Sequence, residues 1–141
     1  MAGETQSAVV DLKIPCRPEF VGVARLAILG VASRMQFSYD EVEDLRLAVG
    51  EACATAVERA AKASKADTDI MIRSEISDGK LTIEVRDEIG QMPEVPKVPN
   101  SPEELDEQNL GVLLMELLVD EFQVEPTPEG GTLVRIVKYA G

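Results

Sequence analysis

The 141-residue chain has no histidine and no tryptophan, only two cysteines, and few aromatic residues of any kind. Without histidine there is no Ser-His-Asp or Cys-His catalysis, no zinc site with imidazole ligands, and no phosphoaccepting histidine on this chain. Cys16 and Cys53 are too few for a cysteine metal cluster or a disulfide scaffold. Both lie in apolar contexts and read as small buried hydrophobes. Basic residues are scarce as well, 14 Lys+Arg against 26 Asp+Glu, which leaves a net charge of -12. Such a chain repels phosphate backbones, and no local basic patch compensates, so direct nucleic-acid binding is not expected. No segment approaches the ~18 uninterrupted apolar residues that a membrane span needs. Met1 to Ser7 lacks the charge and apolar core of a signal peptide, and a cytoplasmic protein is expected.

What remains is an ordinary globular composition, enough for one domain over residues 1–141. Ala8 to Ile14 alternates as a strand does, and Pro15 and Pro18 end it. Apolar positions from Pro18 to about Arg34 suit a helix with proline in its first turn. Ser38-Tyr-Asp-Glu41 is a capping box that opens a longer helix to about Ala63. Val42, Leu45, Val49, Cys53 and Ala56 form its apolar stripe. Asp69–Ile76 and Leu81–Asp87 read as a hairpin across Asp78-Gly79. Glu88 to about Asn109 holds four prolines and many charges. Its Ile89–Asn109 portion is expected to be a lid-like, irregular and mobile loop, with one short helical turn at Ser101–Glu104. Leu110, Leu113, Leu114, Leu117 and Leu118 keep helical spacing and predict a third helix to Val119. Glu121–Glu125 and Thr132–Tyr139 close the chain as a second hairpin. Helices grouped against hairpin-connected strands predict an α+β fold, a two-layer α/β sandwich with a mostly antiparallel sheet and the helices on one face. The expected core is Leu45, Val49, Ile83, Val85, Leu113, Leu117, Val134 and Ile136.

Periodicity alone gives the polar residues plain roles. Glu51 lies opposite the apolar stripe and reads as a solvated carboxylate. Asp87 reads as a turn residue, Gly90 as a loop glycine and Gly111 as a helix-start glycine. Taken in order, the segments around them carry more. Asp44-Leu-Arg-Leu-Ala-Val-Gly-Glu-Ala-Cys-Ala-Thr-Ala-Val57 closely resembles the N-box helix of the bacterial anti-sigma factor serine/threonine kinases. These belong to the Bergerat-fold (GHKL) superfamily of gyrase, the ninety-kilodalton heat-shock chaperone and histidine kinases. Val85-Arg-Asp-Glu88 is similar to the strand and aspartate of that family's adenine box. Leu110-Gly-Val-Leu-Leu-Met-Glu116 is similar to its second glycine box and helix, and Glu129-Gly-Gly-Thr132 to Tyr139 to its closing strand.

The resemblance implies ATP and Mg2+ as cofactors and assigns roles position by position. Glu51 stands where the general base accepts the proton of the attacking hydroxyl. Asp87 stands where adenine's amino group is bound, Gly111 at a phosphate-loop glycine, and Thr132 at the adenine-side threonine. Gly90 substitutes, by a one-residue shift, for a glycine of the first box. Thr55 replaces the asparagine that holds Mg2+, and its hydroxyl is a shorter and weaker ligand for a hard cation. Ile89 and Gln91 stand where that box has glycines, and Gln108-Asn109 precedes the single glycine kept in the second. These departures cluster on metal and phosphate binding.

The function implied is a partner-switching anti-sigma factor. It binds a sigma factor and a STAS-type anti-anti-sigma antagonist, and it phosphorylates a serine or threonine of the antagonist if the pocket works. The alternative is a catalytically inactive, kinase-like adaptor that acts by protein–protein binding alone. Arg25 aligns with a partner-contacting arginine of the first helix, and reads equally as an ordinary solvated arginine. The family implies a homodimer.

Overall fold

The computed structural model describes residues 7–89, 101–104 and 107–140. Five strands, β1 (Ala8–Pro15), β2 (Asp69–Ser77), β3 (Lys80–Asp87), β4 (Glu121–Pro126) and β5 (Thr132–Tyr139), form one antiparallel sheet in the order β1-β2-β3-β5-β4. Among the described residues three helices, α1 (Val21–Ala32), α2 (Tyr39–Lys62) and α3 (Glu107–Leu118), accompany the sheet. Two 3-10 turns, Pro18–Phe20 and Pro102–Glu104, fall where proline opens a helical turn.

Local chemistry sets these elements. Ser38 accepts from the Glu41 N–H at 3.1 Å while Glu41 accepts from the Ser38 N–H at 2.7 Å, so the capping box starts α2 as expected. Gly79, at φ +65°, makes the tight β2–β3 turn, in the left-handed region that glycine enters without penalty. Along β2, buried Ile70, Ile72 and Ser74 alternate with exposed Met71, Arg73 and Glu75, which gives the sheet one helix-covered face and one open face.

Helix α2 runs through the middle of the helical layer, between α1 and α3, and is buried around most of its circumference. Its stripe of Val42, Leu45, Val49, Cys53 and Ala56 meets Leu81, Ile83, Val85, Val134 and Ile136 in a single core. Both cysteines are free and buried. Burial pushes the Cys53 thiol up to about 12, and burial together with the Asp87 charge raises Cys16.

The leucine stripe of α3 is the one core expectation that fails. Leu117 is 71% exposed, Leu110 48% and Leu114 46%, and Leu113 is only half-buried. Gly111, Val112 and Met115 face the core instead. The helix is apolar around nearly its whole circumference, so spacing cannot choose a face. The close approach of α3 to α2 at Gly111, where only a hydrogen separates the helix from the Glu51 side chain, makes the choice. Lys138 fixes the far end by donating to the Leu118 carbonyl at 3.0 Å.

Candidate functional site

Helix α2 presents three polar side chains one turn apart, Glu51, Thr55 and Arg59. At 1.5 Å per residue this ridge spans about 12 Å along the seam between α2, α3 and the paired strands β3 and β5. Each position meets a different neighbour. At the first, the Glu51 carboxylate lies against Gly111 of α3, where an added Cβ would sit 2.5 Å from Oε2 and 3.2 Å from Cδ. Gly111 is thus a buried glycine within α3 rather than in a loop, and it makes room for the carboxylate. Glu51 is half-buried, not the fully solvated group that its angle from the apolar stripe suggests.

Thr55 comes next and is 5% exposed. Its hydroxyl donates to the Glu51 carbonyl at 2.8 Å, a back-bond to the preceding turn, and stands 3.4 Å from Glu51 Oε2. Its proton is committed to the helix. No group of three acidic or cysteine side chains that could hold a metal exists among the described residues. Glu51 and Thr55 offer one carboxylate and one hydroxyl, fewer than the six oxygens that octahedral Mg2+ takes.

At the third position the ridge reaches the sheet. Asp87 ends β3 and is 2% exposed. Its Oδ2 accepts from Arg59 Nη2, and its Oδ1 accepts from the Ile89 N–H at 3.2 Å. Arg59 is 6% exposed, so this is a buried ion pair. Thr132 is directly opposite Asp87 in the β3–β5 register and is fully buried. Gly131, just before it, lies so close to the Asp87 carbonyl that a Cβ there would overlap the oxygen and sit 2.8 Å from the carbonyl carbon. Among the described residues, three side-chain atoms are buried without a hydrogen-bond partner: Arg46 Nε, and Arg59 Nε and Thr132 Oγ1 at this end of the seam. Buried polar atoms are nearly always paired, so these two leave hydrogen-bonding capacity unused at the end of the seam that holds the Asp87 carboxylate. The donor and acceptor set fits a purine edge, which offers an amino donor and ring-nitrogen acceptors.

The sequence-derived residues thus fall into groups. Glu51, Thr55 and Gly111 converge at one end of the seam, and Asp87 and Thr132 at the other. Gly90 lies outside the described residues, as do Gln91 and most of the Ile89–Asn109 lid reading; of the rest, Pro102–Glu104 forms the expected short helical turn, and residues 107–109 belong to α3 and not to an irregular loop. Ile89 itself is fully buried in the hydrophobic core. Arg25 stands apart on α1, with its guanidinium laid over Gly50 of α2, where a Cβ would come within 2.9 Å of Nη2. Arg59 was not singled out from the sequence. Its signal was the continuation of the Glu51–Thr55 spacing by one more turn.

Residues 14–138 match the family model of the histidine kinase-like ATPase domain. Curated relatives include the serine-protein kinase RsbW of Bacillus subtilis, 39% identical over 138 residues that cover 92% of this chain and 84% of that protein. The serine-protein kinase RsbW of Bacillus pumilus is 36% identical over 140 residues, covering 93% and 85%. Among solved structures, the crystal structure of the RsbU and RsbW domains of a Mycobacterium tuberculosis protein matches with a TM-score of 0.69 at 16% identity. This likeness covers 94% of this chain and 32% of that longer one, and it concerns the fold alone. No helix among the described residues is long and apolar enough to cross a membrane. With the family model spanning most of the chain and relatives this similar over nearly their whole length, the chain belongs to the histidine kinase-like ATPase family, in the group of the RsbW serine-protein kinases.

Proposed function

We propose that the protein is an anti-sigma factor of the partner-switching type that binds ATP along the α2 ridge and phosphorylates a serine or threonine of a STAS-type antagonist. The whole chain, residues 1–141, serves as this one ATPase-like domain. The observation that carries the reading is the convergence of Glu51 and Gly111 at one end of the seam and of Asp87 and Thr132 at the other. Asp87 accepts the adenine amino group, with the orphaned Thr132 hydroxyl beside it. Glu51 accepts the proton of the substrate hydroxyl as that oxygen bonds to the γ-phosphorus and ADP leaves. Glu51 is half-buried, yet its carboxylate is turned toward α3 and away from the core stripe, which suits a base that must meet a hydroxyl from outside. Phosphate on the antagonist then weakens its interface by charge repulsion and desolvation. Glu51 and Thr55 are the residues that would face a nucleotide-bound Mg2+, which would neutralise phosphate charge; Thr55 offers it only a hydroxyl already bonded to its own helix. Gly90 belongs to the same nucleotide site, in the first glycine box. Arg25 on α1 is the partner-facing residue, and two copies of the chain form the working unit. The acidic chain suits a partner with basic surfaces.

A second reading is favoured by the Thr55 back-bond: a binding-only adaptor that keeps the fold and the partner surface without turnover. One experiment separates the two. Calorimetric titration with ATP, with and without Mg2+, is followed by transfer of labelled phosphate to the antagonist. A kinase binds ATP, loses binding in Asp87→Asn, and keeps binding but loses transfer in Glu51→Ala. Partner binding with no nucleotide binding at all establishes the adaptor.

A further inference from the structure

We propose that Arg59 is a positioning residue that lets this chain discriminate the 6-amino group of a purine nucleotide. The proposal rests on the reading of Asp87 as the base-binding carboxylate and adds a residue that reading does not contain. Asp87 is held from two sides, by Arg59 Nη2 on Oδ2 and by the Ile89 N–H on Oδ1. Two donors on two oxygens fix the plane of a carboxylate that would otherwise rotate about its terminal torsion. Each oxygen keeps a lone pair, so the fixed group still accepts from a ligand amino group.

The guanidinium suits this task. It is planar, always charged, and donates from a rigid fork, and its burial leaves it no solvent to turn toward. Its Nε, orphaned among the described residues, marks the unfilled side of that fork. The Thr132 hydroxyl, equally orphaned, lies on the strand paired with Asp87. Asp87 thus has a donor-bearing guanidinium bonded to it on one side and a residue with an unpaired hydroxyl opposite it in the sheet. The packing around Arg59 also fixes it from below. It shares a narrow cavity with Ala52, Thr55, Val112, Met115, Val124 and Val134, so mostly apolar groups pack beside the side chain, whose Nη2 reaches Asp87.

The test compares the affinity of the full chain for ATP with its affinity for purine riboside triphosphate, which lacks the 6-amino group. The unaltered chain is expected to prefer ATP by at least about tenfold, the worth of one charge-assisted hydrogen bond. In Arg59→Met, which keeps the stem and loses every donor, the preference falls to within about threefold. In Arg59→Lys, which keeps the charge but not the fork, it falls to an intermediate value. A merely structural ion pair would lower thermal stability in both variants and leave the preference unchanged, and that result would overturn the proposal. Should Arg59→Met not fold, full preference retained by Arg59→Lys is the overturning result. If the unaltered chain binds both nucleotides equally, Asp87 does not read the base, and the underlying reading falls with this one. If the preference exists and survives both substitutions, only the role of Arg59 falls.

Discussion

Gly131→Ala is a test of the base end of the site that needs no ligand. The added Cβ would overlap the Asp87 carbonyl oxygen and lie 2.8 Å from its carbon and 3.1 Å from Glu88 Cα. Relaxed carbon contacts are about 3.5 to 4.0 Å. The opposing atoms are backbone, so no rotamer change relieves the clash, and the start of β5 must move away from the end of β3. That movement opens the Asp87–Thr132 pair. Overpacking of this kind costs about 1 to 3 kcal/mol, and a backbone obstacle places it in the upper half of that range. Against it stands a gain of about 0.4 to 1 kcal/mol from the stiffer unfolded chain. The net loss is therefore about 2 kcal/mol. With an unfolding entropy of about 2.1 cal/mol/K per residue over a chain of this size, Tm falls by roughly 7 °C. Gly22→Ala and Gly30→Ala are the controls. Both lie in α1 with nothing within 4 Å of an added Cβ, so alanine there raises stability by about 0.5 to 1 kcal/mol. Thermal unfolding followed by circular dichroism reads all three. A Gly131→Ala protein as stable as the parent would refute the close approach of the two strands, and with it the geometry of the base end.

Four further outcomes are expected. Gly111→Ala meets a flexible carboxylate rather than backbone, so it changes stability by less than about 1 kcal/mol but displaces Glu51; phosphotransfer should fall much more than ATP affinity, as paired kinetic and calorimetric measurements would read. Met115→Ala, at a site 1% exposed, should cost about 2 to 5 kcal/mol in urea unfolding, whereas Leu117→Ser, 71% exposed, should stay within about 0.5 kcal/mol; the reverse order would put the leucine face of α3 in the core. Replacing Ile89 by the glycine of the family pattern should destabilise by at least about 3 kcal/mol in the same assay, because its side chain is fully buried, and so should not restore nucleotide binding by itself. The Cys53 thiol, raised from 9.0 to about 12, holds its proton in the folded state where the unfolded chain releases it. Stability conferred by this group is complete below pH 9 and is lost as pH rises from about 9 to 12, at up to about 1.4 kcal/mol per pH unit; Cys53→Ala should flatten that part of the stability–pH curve, and an unchanged slope would contradict the burial of the thiol.

Local chemistry already determined most of the fold. The capping box at Ser38 and Glu41, the glycine turn at Gly79 and the strict alternation from Leu81 to Val85 each act over a few residues, so they are readable without knowing what packs where. The order of motifs from the N-box helix to the closing strand pointed to the family that residues 14–138 match. Tertiary structure decided the rest, for two physical reasons. A helix whose apolar residues spread over most of its circumference has no single preferred face in sequence, and it is with Gly111 packed against Glu51 that α3 buries Met115 and exposes Leu117. A charged residue on a long helix looks solvated until a strand end arrives beside it. Arg59 and Asp87 are 28 residues apart, on different elements, and nothing local announces their pairing. Their burial beside Thr132 follows from the antiparallel pairing of β3 with β5, which closes the base end of the seam only once the whole sheet has formed.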